Sequence, residues 1–135
     1  MDRIDKILNH DLFLYHLGRN NAAEADRRFC RHGMVHFLDV ARIGTIIALE
    51  EGLKIDREWI YAAALLHDCG KHEQYENGIP HEQASARIAP EILKACGFND
   101  EETGVIVTAI SRHRDPEAAK EKNLNGILYR ADKAS

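Results

Sequence analysis

The sequence has no excess of basic residues and no long apolar run, and each shortage excludes a class of protein. Eighteen Lys and Arg stand against 22 Asp and Glu, a net charge of −4, so no basic stripe is available to neutralise the phosphates of a nucleic-acid duplex. No apolar run approaches the roughly 20 residues that span a bilayer, and the first residues lack a secretory apolar segment. We therefore expect neither duplex nucleic acid nor a membrane as a partner.

Cysteine and proline are also scarce. The three cysteines are scattered and form no Cys-x-x-Cys pair, so we expect no disulfide framework and a reducing, cytoplasmic location. The three prolines and the glycines punctuate segments whose apolar positions recur every three or four residues, and period-two alternation is absent. This pattern predicts an all-α fold.

The length of 135 residues predicts one domain, a single-domain helical bundle of about six to seven helices spanning 1–135, in which 1–31 have no assigned role. The stretch GKHEQYENGIP is expected to be a polar loop, and Pro90 is expected to kink or split its helix. The predicted helices cover 2–17, 22–31, 34–51, 57–68, 81–96, 100–113 and 123 to near the end.

Histidine is abundant, with eight in the chain. Several continue apolar helical stripes: His36 shares a face with Val40 and Ile43, and His113 ends a seam that contains Ile106. A buried imidazole or carboxylate is costly unless it is hydrogen-bonded or bound to a metal. The inward polar set predicts a metal site in the bundle core, with donors that suit Fe, Mn, Zn, Co or Ni. Its members are His36, His67, Asp68, His81, His113 and Asp132.

The order His36, His67-Asp68, Asp132 resembles the signature of the HD-domain superfamily of metal-dependent phosphohydrolases. The segments HFLDVAR, ALLHDCGK and ILYRADK are similar to its three motif neighbourhoods, and the resemblance covers about 32–135. It implies that these four residues hold one metal ion.

A second ion is implied by two further histidines. His81, in PHEQASARIA, and His113, in AISRHRDP, resemble the extra histidines of binuclear members. The resemblance then implies that Asp68 bridges two divalent transition-metal ions.

The resemblance implies hydrolysis of a small phosphate ester, with a nucleotide or dinucleoside polyphosphate as the expected substrate. Two cations a few ångströms apart can acidify a water molecule, and the sequence offers no Gly-x-Ser-x-Gly and no convincing Ser-His-Asp set. We expect Asp68 and Lys71 to be catalytic.

Basic residues beside the expected ligands are candidates for binding substrate phosphate. Lys71 directly follows the ligand helix and is the strongest of them. The others are Arg112, Arg114, Arg130 and, at the edge of the site, His32.

Two alternatives stay open at this level. The same ligand order resembles di-iron oxygenases of the superfamily, which activate dioxygen instead of water. A short HD domain could also be a non-catalytic, nucleotide-binding module whose metal is structural or absent.

Overall fold

The computed structural model describes residues 1–25 and 33–135. These residues form eight α-helices and one 3-10 helix and contain no strand, which confirms the predicted all-α class. No helix among them is long and apolar enough to cross a membrane. The helices are α1 (Asp2–Leu8), α2 (Asp11–Ala23), α3 (Met34–Glu50), α4 (Arg57–Leu66), α5 (Lys71–Asn77), α6 (His81–Ala95), α7 (Asp100–Ser111) and α8 (Leu124–Ala134), with the 3-10 helix at Pro116–Lys120 between α7 and α8.

Helix α4 lies at the centre of the core and contacts α1, α3, α6, α7 and α8. It begins at an N-cap, Asp56, whose carboxylate accepts the backbone N–H of Glu58 at 2.8 Å. From Ala62 to Leu66 every residue is buried. Because the alanine side chains are small, neighbouring helices approach α4 from several sides. The residues that directly follow α4, His67 and Asp68, are therefore buried as well.

The N-terminal segment differs from its prediction. The expected helix 2–17 is two helices, α1 and α2, separated at Asn9 and His10. The reason is a capping contact: His10 Nδ1 accepts the backbone N–H of Leu12 at 3.1 Å and begins a new helix. Of the helix predicted at 22–31, residues 22 and 23 belong to α2, and residues 26–31 lie outside the described residues.

The predicted loop 70–80 contains a helix, α5, which corrects that prediction. Its composition is polar, but the side chain of His72 is buried against α2. The helix ends at Gly78, which has a φ of +71° and supplies the left-handed residue that often closes a helix. Tertiary contact with α2 therefore stabilises a segment that has little apolar periodicity of its own.

Helix α6 runs continuously from His81 to Ala95, so Pro90 does not split it. The residues around the proline, Ala89, Ile92 and Leu93, are fully buried. This packing compensates for the hydrogen bond that proline cannot donate.

Candidate metal centre

Five separate elements deliver the six polar residues that the sequence singled out. His36 lies in the first turn of α3, His81 begins α6, and Asp132 lies in α8. His67 and Asp68 form the turn that follows α4, and His113 lies in the turn that follows α7. The structure brings all six together in two clusters that share Asp68.

The first group, which we call the four-residue cluster, comprises His36, His67, Asp68 and Asp132. One donor atom from each lies within 4.8 Å of those of the others. His67 Nε2 is 3.3 Å from Asp68 Oδ2 and 3.3 Å from Asp132 Oδ1. His36 Nε2 is 3.1 Å from Asp132 Oδ1 and 3.7 Å from Asp68 Oδ2. Two imidazoles and two carboxylates therefore surround one point at the distances expected around a metal ion.

The second group, the three-residue cluster, comprises Asp68, His81 and His113. The Nε2 atoms of the two histidines are 3.1 Å apart, and each lies 3.4 Å from Asp68 Oδ1. All three residues are buried. The two oxygens of the Asp68 carboxylate thus face different clusters, Oδ2 the first and Oδ1 the second.

Hydrogen bonds to the far side of two rings orient their Nε2 atoms as metal donors. The Nδ1–H of His67 donates to the carbonyl of Ala64 at 2.6 Å, and that of His113 donates to Ile110 at 2.6 Å. In a neutral imidazole a protonated Nδ1 leaves the lone pair on Nε2. Backbone carbonyls commonly fix the tautomer of metal-binding histidines in this way.

The same reasoning extends to His81 through Gln74. The Oε1 of Gln74 accepts the backbone N–H of His81 at 3.0 Å, which identifies it as an acceptor, and it lies 2.8 Å from His81 Nδ1. A proton on Nδ1 satisfies that contact and leaves the lone pair on Nε2. Two imidazole lone pairs and a carboxylate oxygen then converge within 3.4 Å, an arrangement that a divalent cation stabilises. The residues present fit a metal ion.

Electrostatics at the two clusters favour a positive charge near the carboxylates and neutral imidazole at His81. Burial lowers the pKa of His67, but the charge of Asp68 and the contact with Asp132 raise it to about 10. Burial lowers the pKa of His81 to about 3, against the opposing effect of Asp68. The pKa of Asp132 is held below its ordinary value because hydrogen bonds from His36 and His67 outweigh its burial.

The turn that carries the shared carboxylate packs tightly against α6. Gly70 donates its backbone N–H to Ser85 Oγ at 2.9 Å. A Cβ at position 70 would lie 2.7 Å from the backbone nitrogen of Ser85 and 2.7 Å from Ala84 Cβ. Only glycine therefore allows Asp68 to approach His81 this closely.

Sequence reasoning did not single out Asn20, Gln74 or Ser85. Each contacts the turn or a predicted ligand through a hydrogen bond between two different helices or turns, 7 to 48 residues apart in the chain. Isolated Asn, Gln and Ser residues carry no spacing signal, so nothing in the sequence distinguishes them.

The predicted phosphate-binding residues fall into two groups. Lys71 Nζ lies 3.4 Å from His81 Nδ1, at the edge of the three-residue cluster. Arg114 is exposed, and its charge contributes to lowering the pKa of His81, after the larger effects of burial and of the nearer charged groups. Lys71 therefore lies beside this cluster, and the phosphate-binding role of both residues stays a prediction.

Arg112 and Arg130 are held in salt bridges by carboxylates. Arg112 pairs with Glu121 and, at 3.2 Å, with Asp115. Arg130 pairs with Glu51 through both terminal nitrogens. Binding of substrate by either guanidinium would require these pairs to break, and their predicted role stays a prediction. His32 lies outside the described residues.

The model of the HD domain family matches residues 33–135, which contain all six cluster residues. An uncharacterised protein of Clostridium beijerinckii is 50% identical over 135 residues, which are 100% of this chain and 84% of that protein.

A solved structure adds a likeness in fold. The crystal structure of a predicted HD superfamily hydrolase from an uncultured Thermotogales bacterium superposes with a TM-score of 0.68 at 28% identity. The superposition covers 89% of this chain and 66% of that one, so the chain spans about two-thirds of the length of that structure. The family match and the helical architecture agree with the motif order seen in the sequence. The chain belongs to the HD domain family.

Proposed function

We propose that the protein is a metal-dependent phosphohydrolase that cleaves a small phosphate ester, a nucleotide or dinucleoside polyphosphate. The observation that carries the proposal is the placement of the Asp68 carboxylate, whose Oδ2 faces the four-residue cluster and whose Oδ1 faces the three-residue cluster. The hydrolase named in the related crystal structure supports the same class of reaction.

The donor set favours divalent transition metals. Imidazole and carboxylate together suit Fe, Mn, Zn, Co or Ni better than Ca. In the proposal, His36, His67, Asp68 and Asp132 hold one ion, and Asp68, His81 and His113 hold a second. Two such ions would activate water for attack and neutralise charge on the phosphoryl oxygens.

The side chains beside the clusters do not compete with water as nucleophile. Cys69, next to Asp68, is 2% exposed, and its Sγ contacts the carbonyl of Ser85. Burial raises the pKa of the Cys69 thiol to about 12, so thiolate is scarce at neutral pH. The hydroxyl of Ser85 accepts the N–H of Gly70 and is itself fully buried. A water nucleophile is consistent with this environment.

Lys71 and Arg114 are the proposed contacts to substrate phosphate. Lys71 begins α5 and is partly exposed, with its ammonium beside His81. Arg114 follows His113 directly. Their positive charges would orient a phosphoryl group toward the clusters and favour its developing negative charge.

The first experiment measures metal binding. Protein stripped with a chelator is titrated with Mn²⁺, Fe²⁺, Co²⁺, Ni²⁺ or Zn²⁺, and the stoichiometry is read by elemental analysis after desalting. We expect two ions in the wild type and none retained by His67→Ala or Asp68→Ala, with helical content preserved. His10→Asn and Asp100→Ala are matched controls, because both positions lie outside the clusters.

The second experiment assays each loaded form against nucleotides, dinucleoside polyphosphates and p-nitrophenyl phosphate. We expect release of phosphate or nucleotide by at least one metal form, and a loss of turnover with retained metal in Lys71→Ala but not in Lys94→Ala. Folded, metal-loaded protein that hydrolyses none of these would refute the proposal. Substrate-dependent oxygen uptake by the iron form would instead indicate oxygenase chemistry.

A further inference from the structure

A buried asparagine from the N-terminal helices holds the turn that carries Asp68. Asn20 lies on α2, outside residues 33–135 matched by the family model, and its side chain is fully buried. Its Nδ2 donates to the backbone carbonyl of Asp68 at 2.9 Å. Its Oδ1 accepts the backbone N–H of His72 at 2.8 Å. One side chain therefore ties both ends of the segment 68–72.

The start of α5 has no side-chain cap from its own N-terminus. His72 is the second residue of α5, where a backbone N–H has no partner within its own helix. The N-cap position of α5 is Gly70, which provides no side-chain cap. Asn20 supplies that missing acceptor from another helix, 52 residues away.

Further contacts keep α2 and α5 in register. His16 Nδ1 lies 2.8 Å from His72 Nε2, and the two rings stack with 5.1 Å between centroids. Tyr75 donates its hydroxyl hydrogen to Glu24 Oε2 at 3.1 Å. Contacts between α2 and α5 therefore lie on both sides of Asn20 in the chain, at His16 and at Glu24.

We propose that Asn20 is a positioning residue of the metal site, acting through the backbone of Asp68; the inference rests on the proposed function. The carboxylate of Asp68 faces four histidines, three of them on elements other than its own turn, so each of its two oxygens must be correctly placed for its own cluster. A shift of about 0.5 Å is enough to impair such a constellation. Asn20 opposes this shift because it fixes the Asp68 carbonyl and the start of α5 together.

The test is Co²⁺ binding to Asn20→Ala, followed by the visible absorption of the bound ion and by competition with a chromophoric chelator. Loss of a group that orients a metal ligand typically weakens binding by about 10- to 100-fold. We expect a loss in this range and an altered Co²⁺ spectrum, because Asp68 would contact both ions with changed geometry.

Two controls separate positioning from general stability. Asn21→Ala removes the exposed neighbouring asparagine and should leave Co²⁺ affinity unchanged. Asn99→Ala removes the N-cap of α7, whose side chain accepts the N–H of Glu102 at 2.8 Å, without touching the turn. It should lower the melting temperature while the Co²⁺ spectrum stays that of the wild type.

A second variant and a measurement on the wild type cover the case in which Asn20→Ala does not fold. Asn20→Asp fills the same space and keeps the acceptor for His72, but it places a carboxylate oxygen against the carbonyl of Asp68. It should weaken Co²⁺ binding and alter the spectrum. In the wild type, Zn²⁺ should slow hydrogen exchange at the His72 amide, because binding and positioning are reciprocally coupled.

The outcomes are separable. Wild-type protein that binds two Co²⁺ while Asn20→Ala or Asn20→Asp binds them with the same affinity and spectrum would overturn this inference and leave the proposed function standing. Zn²⁺-independent exchange at the His72 amide would also count against it. Wild-type protein that binds no Co²⁺ would overturn both.

Discussion

Replacing Gly70 with alanine should damage the fold and the metal site together. The added Cβ would lie 2.7 Å from Ala84 Cβ and 2.8 Å from the Ala84 carbonyl carbon. Carbon atoms in contact normally lie about 3.5–4.0 Å apart, so the turn and α6 would have to separate by roughly 0.8 Å. Because backbone atoms of α6 are among the obstructing atoms, no rotation of a side chain relieves the clash.

Overpacking of this kind costs about 1–3 kcal/mol, and a backbone obstacle places Gly70→Ala near the upper end. At this chain length, each kcal/mol lowers the melting temperature by roughly 3–5 °C, so we expect a fall of about 10 °C. The same separation moves Asp68 away from His81 on α6. The three-residue cluster should therefore lose its ion before the four-residue cluster does.

Thermal unfolding by circular dichroism and Co²⁺ titration measure the two effects. Gly104→Ala is the matched control, because a Cβ there meets nothing within 4 Å; it should stabilise α7 by about 0.5–1 kcal/mol. A melting temperature of Gly70→Ala within about 1 °C of the wild type, with two ions still bound, would refute the steric reasoning.

Three further predictions follow from the fold and the site. Co²⁺ at about 100 times its dissociation constant should stabilise the wild type by about 2.7 kcal/mol for each ion bound; a chelator should reverse the effect, and a similar gain in His67→Ala would contradict the ligand assignment. Pro90→Ala should raise the free energy of unfolding by roughly 1–3 kcal/mol, because alanine restores the missing backbone N–H of α6. The gain is read as a higher midpoint of urea denaturation. A lower midpoint would show that the packing of α6 depends on the proline. Burial raises the pKa of Glu102, but hydrogen bonds from Trp59, Asn99 and Arg3 outweigh this effect and hold the pKa below its ordinary value. The stabilisation from Glu102 is therefore complete above the ordinary pKa of 4.5 and is lost as the pH falls through the lowered value. Glu102→Gln should be less stable than the wild type at pH 7, and the difference in unfolding free energy should narrow in acid; a constant difference from pH 7 to pH 2 would contradict this.

The apolar periodicity predicted the helices that build the core. Helices α3, α4, α6, α7 and α8 lie where their stripes and caps place them. The periodicity gave a wrong prediction in two places. A capping contact at His10 divides the helix predicted at 2–17, and the polar segment predicted as a loop at 70–80 contains α5, which packs against α2. Both failures arise because a contact with another residue overrides a local pattern.

The residues of the candidate site also divide into those that the sequence predicted and those that it could not. Inward-facing stripes and motif order nominated the six cluster residues, and the structure brings them together; their role as ligands stays a prediction. The sequence could not show which of the basic side chains lie beside the clusters and which are held in salt bridges. Arg112 and Arg130 meet carboxylates from other elements, whereas Lys71 lies beside His81.

The amino-acid sequence by itself determined the helical class and the family, because periodicity, caps and motif order are properties of short segments. Tertiary structure alone decided that Asp68 presents one oxygen to each cluster, that Gly70 permits this approach, and that Asn20 holds the turn. The contacts of Asp68 with His81 and with Asn20 join residues 13 and 48 positions apart in the chain. Only packing of whole helices establishes such distances, and local sequence patterns contain no information about them.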